Sequence, residues 1–237
     1  MGPLLERLRK GAMVAPISLA LVLLLLSGCG ESNSPSGADA SAFVVDAGAA
    51  DAPGEFGVIS GECEVLDTEL ASSSPGLFRV AIDFERLYAD SDQALLSPGG
   101  REIIADGNAG GSSVLSEVFA FEVLRRCESA QLLKTETEIE YDPVSKLTDF
   151  LAKIDTEKIG VSVTRALGFP FDAPYLATQA EELLSAKLAD ILVSSANVAN
   201  VDRWRKQILA ILAYGPGHAD AIMAAYETLD VSLKADT

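Results

Sequence analysis

Three short runs decide the fold of this chain: LLKTETEIEYD (132–142), SKLTDFLAKID (145–155) and KIGVSVTR (158–165). Apolar and β-branched residues alternate with polar ones in these runs, which is typical of β-strands. The residues DTEK (155–158) predict a tight turn between the second and third runs. Pro143 ends the first run, because proline cannot donate a hydrogen bond to a strand ladder. The three runs therefore predict a β-meander.

Four acidic residues of the first run share one parity: Glu136, Glu138, Glu140 and Asp142. In a strand, residues of one parity point to the same side of the sheet. Like charges placed in this way repel one another. The face that carries them is therefore either solvated or occupied by a cation.

Helices are predicted on both sides of the meander. Apolar residues recur at helical spacing in 114–133, in 175–194 and in 219–229. Residues 204–214 are almost continuously apolar, which favours a buried strand and leaves a helix start as the alternative. Residues 77–89 fit a strand or a helix, and the glycine-rich segment 91–113 is predicted to be a loop. The order helix, three strands, crossover helix, strand, helix predicts an α/β sandwich formed by a single domain, 56–237.

The N-terminus has the pattern of a secretory signal peptide. Arg7, Arg9 and Lys10 precede an apolar segment, 13–26, and small residues stand before Cys29. Residues 1–28 are therefore expected to be removed. The next segment, 29–55, is rich in Ser, Gly, Ala, Asp and Pro and is predicted to be a disordered tether.

The chain is strongly acidic, with a net charge of −17. Residues 1–28 contain three basic residues and one acidic residue, so their removal would leave −19. Such a charge favours solubility and repels phosphate backbones, so a nucleic-acid partner is not expected.

Two cysteines remain once Cys29 is set aside, namely Cys63 and Cys127. An even pair in an oxidising compartment forms a disulfide if the two residues are close, and otherwise two buried thiols result. Sequence alone leaves both alternatives open.

Several catalytic classes lack their motifs. The chain has no Gly-x-Ser-x-Gly elbow, no zinc-ligand spacing and no Gly-Lys-Ser/Thr phosphate loop. The single histidine, His218, follows Gly-Pro-Gly and is predicted to lie in a solvated turn rather than to act as a base.

The sequence LSGC (26–29) resembles the lipobox of bacterial lipoproteins. That resemblance implies acylation of Cys29, with fatty acids such as palmitate, and attachment to a lipid membrane. Gly30 stands where lipoproteins of the inner membrane often carry Asp, so the resemblance implies the bacterial outer membrane, facing the periplasm or the cell surface. An envelope protein or another envelope ligand would then be the partner.

The order of elements in 114–229 resembles the PD-(D/E)xK restriction-endonuclease-like superfamily. Glu117 matches the helix acid of that family, and Asp149 matches the Asp that opens its second core strand. The third strand departs from the family pattern, because Ser162 and Thr164 stand where the acid and the lysine are found. Lys187 on the crossover helix is either a relocated active-site lysine or a solvated helix lysine.

Two functions follow as hypotheses. In the first, a lipoprotein with a degenerate nuclease-like domain binds a ligand or protein, has no catalytic activity and needs no cofactor. The alternative is a metal-dependent phosphodiesterase or nuclease that uses Glu117, Asp149 and Lys187. In that alternative Mg²⁺ or Mn²⁺ would be held by Glu117, Glu140 and Asp149. The oligomeric state does not follow from the sequence.

Overall fold

The structure is a computed structural model of the 237-residue chain, and it describes residues 17–23, 56–64, 66–84, 86–108, 114–143, 146–168, 170 and 173–237. Its strands and helices form a mixed α/β fold, which confirms the predicted class. The strands are β1 (Ile17–Leu23), β2 (Val58–Gly61), β3 (Phe78–Phe84), β4 (Gln131–Thr135), β5 (Phe150–Ile154), β6 (Glu157–Ala166) and β7 (Lys206–Ala213). The helices are α1 (Leu66–Glu69), α2 (Pro98–Asp106), α3 (Val114–Glu128), α4 (Ala177–Asn197), α5 (Pro216–Thr228) and α6 (Val231–Lys234). Short 3-10 turns span Asp90–Leu95 and Glu136–Glu138.

The described strands form one sheet in the order β2-β3-β1-β7-β6-β5-β4. β6 and β7 are parallel, and every other neighbouring pair is antiparallel. The parallel pair requires a crossover connection, which α4 provides. From α3 to α5 the chain follows the predicted order of helix, meander, crossover helix, strand and helix. The sheet is larger than predicted, because β1, β2 and β3 extend it beyond β7.

The first strand of the meander is shorter than predicted. β4 ends at Thr135, and the next three residues turn instead of continuing the strand. The backbone N–H of Thr135 donates to Glu138 Oε2 at 3.0 Å, a local bond that competes with strand pairing. The prediction that the four acidic residues share one strand face is therefore wrong.

β1 lies within the segment that the sequence assigns to a signal peptide. Its backbone pairs with β3 on one side and with β7 on the other, so that Leu21 is opposite both Val80 and Leu212. A run of apolar residues is typical both of a signal peptide and of a strand buried within a sheet, and the sequence alone does not separate the two. The predicted lipidation site, Cys29, and the predicted tether, 29–55, lie outside the described residues.

The segment predicted as a loop, 91–113, contains helix α2. Ser97 caps this helix, since its Oγ accepts a hydrogen bond from the N–H of Gly100 at 3.1 Å, and Pro98 begins it. The glycines at 99 and 100 allow close packing on α3. A Cβ at Gly99 would lie 2.6 Å from the ring of Phe121. The glycines that suggested a loop therefore serve helix packing.

Two hydrophobic cores lie on opposite faces of the sheet. All eight residues of β7 are buried, which confirms the predicted buried strand. Ile208 and Leu212 pack in the core that includes α3, whereas Leu209 and Ile211 pack in the core that includes α4 and α5. The middle of the sheet, β6 and β7, therefore lies between α3 on one face and α4 with α5 on the other.

Among the helices of the described ranges, none is both long enough and apolar enough to cross a bilayer.

Candidate functional site

Asp149 lies immediately before the first residue of β5, the middle strand of the meander. Its backbone N–H donates to the carbonyl of Val161 at 3.1 Å. Its Oδ2 accepts a hydrogen bond from the backbone N–H of Val163 at 2.7 Å. Asp149 is therefore fixed to β6 by both its main chain and its side chain.

The pKa of Asp149 is raised to about 7. Loss of hydration is the largest cause, and the charges of Glu117 and Glu136 raise it further. The hydrogen bond from Val163 and the charge of Lys187 act in the opposite direction. This carboxyl group is therefore partly protonated at neutral pH.

Glu117 occupies the first turn of α3 and is 1% exposed. The side chain of Asn108, two residues after the end of α2, donates from Nδ2 to Glu117 Oε1 at 2.7 Å. A buried carboxylate requires such partners, because its desolvation is otherwise costly. Asn108 was not predicted from the sequence, where it stands in a polar segment without periodicity.

The structure brings Glu117, Asp149 and Lys187 to one site. Glu117 comes from α3 and Lys187 from α4, and the charges of both act on Asp149. The three groups therefore lie close enough for their charges to interact.

Glu140 does not join this site, which corrects the predicted set of metal ligands. Its side chain is 68% exposed, and its Oε1 lies 4.0 Å from Lys134 Nζ. Its backbone N–H donates to the buried carboxylate of Asp202 at 2.8 Å. The turn at Glu136–Glu138 redirects the chain, and Glu136 rather than Glu140 contributes charge near Asp149.

The third strand supplies no acid and no lysine to the site. Ser162 is buried, and its Oγ accepts a hydrogen bond from Gln207 Nε2 at 2.9 Å. The same amide nitrogen donates to Thr148 Oγ1 at 3.0 Å. Ser162 is therefore part of a buried polar network that holds Thr148, the residue before Asp149.

The network continues from Gln207 into α4. Gln207 Oε1 accepts hydrogen bonds from Ser195 Oγ at 2.7 Å and from Ser194 Oγ at 3.3 Å. Trp204 Nε1 donates to Ser195 Oγ at 3.1 Å. Sequence analysis missed Gln207, whose one signal is a polar side chain within a continuously apolar strand.

The side chains at this site determine whether it could bind a divalent metal ion. In the described part of the chain, no three side chains of His, Cys, Asp or Glu lie together so that they could hold a metal ion. Mg²⁺ and Mn²⁺ take oxygen ligands in regular geometry, and here the protein offers two carboxylates beside a lysine. The residues present do not fit the predicted three-carboxylate metal centre.

His218 is more enclosed than predicted. It lies in the first turn of α5, and its Nδ1 is 3.1 Å from the carbonyl oxygen of Ala166. A carbonyl oxygen only accepts, so Nδ1 is the donor in this contact. Its ring lies 5.3 Å from that of Tyr175. His218 therefore joins α5 to the end of β6, and the prediction that it lies in a solvated turn is wrong.

Cys63 and Cys127 form a disulfide, with their Cα atoms 4.7 Å apart. Of the two alternatives that the sequence left open, the structure has the bonded one. The bond joins the residues after β2 to the last turn of α3.

Fold and site together define a mixed α/β protein in which the charges of a buried glutamate and of a lysine act on Asp149. No family model and no solved structure matches the chain. The chain is similar to the AAC-rich mRNA clone AAC4 protein of Dictyostelium discoideum, with 43% identity over 160 residues. The match covers 65% of this chain and 23% of that protein, so the chain spans about a quarter of its relative's length.

This relative corrects one prediction. Dictyostelium discoideum is a eukaryote, and a eukaryotic relative points away from a lipoprotein of the bacterial outer membrane. The predicted location, exported and lipid-anchored to a bacterial membrane with its face to the periplasm or cell surface, is therefore contradicted.

Proposed function

We propose that this chain is a binding protein with a degenerate nuclease-like site, and that it does not cleave phosphodiesters. The observation that carries the proposal is the position of Ser162 and the hydrogen bond that it accepts. It stands where an active nuclease-like site would have its acid, and its hydroxyl is bonded to Gln207 within the core. β6 thus offers the site neither an anionic ligand nor a lysine that would position water.

The charge of the acid pair supports binding rather than catalysis. Asp149 has a pKa of about 7, so near neutral pH a large fraction of it is protonated. A protonated carboxyl group donates a hydrogen bond and is a poor ligand for a hard cation. The site therefore suits a polar ligand group that accepts a hydrogen bond from Asp149 and contacts Lys187.

The net charge of −17 also supports this proposal. A nuclease gains affinity from cations that neutralise phosphates, whereas a strongly acidic surface repels them.

The second candidate is a metal-dependent phosphodiesterase, and one observation favours it. The charges of Glu117 and Lys187, which come from two different helices, both act on Asp149. A carboxyl group whose pKa is perturbed by burial and by nearby charges, as that of Asp149 is, is found frequently at catalytic sites.

One experiment separates the two candidates. The thermal unfolding of the full-length protein is measured with and without Mg²⁺ or Mn²⁺, together with cleavage of single- and double-stranded DNA. We expect no cleavage and a shift in Tm of less than about 2 °C, since weak binding stabilises little. Metal-dependent cleavage that Asp149→Asn abolishes and the matched variant Glu140→Gln retains would overturn the proposal and establish the second candidate.

A further inference from the structure

Consecutive residues at the end of α3 hold the segment that contains β2. Arg126 donates from Nη1 to the carbonyl of Gly57 at 2.9 Å and from Nη2 to the carbonyl of Phe56 at 3.0 Å. Two residues later, Glu128 Oε2 accepts a hydrogen bond from the N–H of Leu66 at 3.3 Å. The segment is therefore anchored to α3 at both of its ends.

The disulfide lies between these anchors. Cys127 is the residue between Arg126 and Glu128, and its partner Cys63 follows the end of β2. β2 is the outermost strand at its edge of the sheet, and three of its four residues are exposed. β2 is held by its four-residue antiparallel pairing with β3 and by the partly buried side chain of Ile59, and the disulfide adds a covalent cross-link to this edge strand.

The disulfide opens to the surface through a groove of about 540 Å³. Its walls come from β2, the residues before it and the end of α3: Gly57, Val58, Ile59, Cys63, Arg126 and Cys127. Val58 is 65% exposed at this groove, whereas Cys127 is 5% exposed and Cys63 is half-buried. A small molecule in the groove therefore reaches the sulfur of Cys63 more easily than that of Cys127.

We propose that this groove is a thiol–disulfide exchange site whose substrates are small dithiols, and that exchange there releases β2. The positive charge of Arg126 in the groove favours approach of the thiolate form, which is the nucleophile in such reactions.

The exchange is a balanced two-electron reaction. One thiolate of the dithiol attacks the sulfur of Cys63, forms a mixed disulfide with it, and displaces Cys127 as a thiolate that takes up a proton. The second thiol of the reagent then attacks its own bound sulfur, closes a cyclic disulfide, and releases Cys63 as a thiol. The dithiol is oxidised, the protein disulfide is reduced, and the two protons of the dithiol end on the two cysteines.

Release of β2 is local because both anchors survive the reaction. The bonds from Arg126 and Glu128 do not involve sulfur, so residues 56–57 and 66 remain attached to α3. Residues 58–64 lose their covalent cross-link and keep the ladder with β3, which opens more readily without the disulfide. Whenever β2 opens, β3 becomes the exposed edge of the sheet on that side.

The test treats the native full-length protein with excess dithiothreitol, alkylates free thiols, and locates the modified cysteines by peptide mass spectrometry. Hydrogen exchange is measured on the same samples. We expect alkylation of both Cys63 and Cys127 without denaturant. Exchange in 58–64 should accelerate at least about tenfold, because that segment opens locally, while exchange in β7 stays unchanged. With glutathione, a monothiol, the trapped adduct should map to Cys63.

A double variant, Cys63→Ser with Cys127→Ser, is the matched control. It should exchange in 58–64 as fast as the reduced protein and should not respond to dithiothreitol. Alkylation that needs denaturant, a glutathione adduct on Cys127, or protection of 58–64 in the double variant equal to that of the oxidised protein would each overturn the proposal. So would accelerated exchange that spreads to β7.

Discussion

The backbone N–H of Val163 donates a hydrogen bond to Asp149 Oδ2 at 2.7 Å, from the strand β6 to the residue before β5. This bond favours the ionised form of Asp149. Loss of hydration and the nearby acids outweigh it, so that the pKa rises to about 7. The folded protein therefore holds a proton on Asp149 over a pH range in which the unfolded chain has released it.

Asp149→Asn should change how stability depends on pH. The wild-type contribution of this proton is fully present below about pH 4, the ordinary pKa of Asp, and is lost as pH rises through the folded pKa of about 7. The variant lacks this loss, so its free energy of unfolding relative to wild type should rise by on the order of 4 kcal/mol between these limits. Urea unfolding over a pH series measures the difference. Parallel pH profiles for the two proteins would contradict the raised pKa.

Lys187→Met should raise the pKa of Asp149 further. The charge of Lys187 favours the ionised form of Asp149, and its removal leaves the opposing acids unbalanced. Carboxyl chemical shifts followed by NMR titration report this pKa directly. The matched control is Lys146→Met on the ion pair with Asp190, which should leave the titration of Asp149 where it is. If the titration midpoint of Asp149 is unchanged in Lys187→Met, Lys187 does not interact with Asp149.

Gln207→Leu should destabilise the protein by roughly 2–3 kcal/mol, although the change keeps a similar volume and adds apolar surface. Its amide bonds Thr148, Ser162 and Ser195, and loss of the amide leaves buried hydroxyl groups without this partner. Chemical denaturation measures the change. Gln93→Leu, in the surface turn Asp90–Leu95, should lie within about 0.5 kcal/mol of wild type. Equal effects of the two changes would show that the network contributes little.

Two glycine-to-alanine variants should have different effects on the stability of the protein. A Cβ at Gly160 would lie 2.8 Å from the ring of Trp204, so Gly160→Ala should cost about 1–3 kcal/mol through overpacking. A Cβ at Gly217, in α5, would meet nothing within 4 Å. Gly217→Ala should therefore leave stability unchanged or raise it by up to about 1 kcal/mol, because alanine favours helix. Thermal unfolding of both variants tests the pair, and a stable Gly160→Ala would place the Trp204 ring elsewhere.

The sequence predicted the elements whose periodicity is strong. The order from α3 to α5 follows from apolar spacing, and β7 was recognisable because an eight-residue strand buried on both faces is almost entirely apolar. Element order also led us to expect Glu117 near Asp149, and the charge of Glu117 does raise the pKa of Asp149.

Other features depend on tertiary contacts that leave little trace in sequence. Glu140 was expected near Asp149 because it shares the parity of the other acids in the predicted strand. The local bond between Thr135 and Glu138 turns the chain there, so the strand pattern does not reach Glu140. Helix α2 was missed because its glycines serve close packing rather than chain reversal. Gln207 was missed because its role appears only when β6, β7 and α4 are assembled.

β1 is, in the described part of the chain, the strand that joins β2 and β3 to the other four strands. Its residues, Ile17–Leu23, stand before Cys29 in the chain. A polypeptide cleaved before Cys29 could not contain this strand, and β3 and β7 would lose the neighbour that each of them shares. Proteolytic maturation at Cys29 and the seven-stranded sheet are thus mutually exclusive fates of one polypeptide. The mass of the N-terminal peptide of the protein isolated from its own cells would reveal which fate prevails.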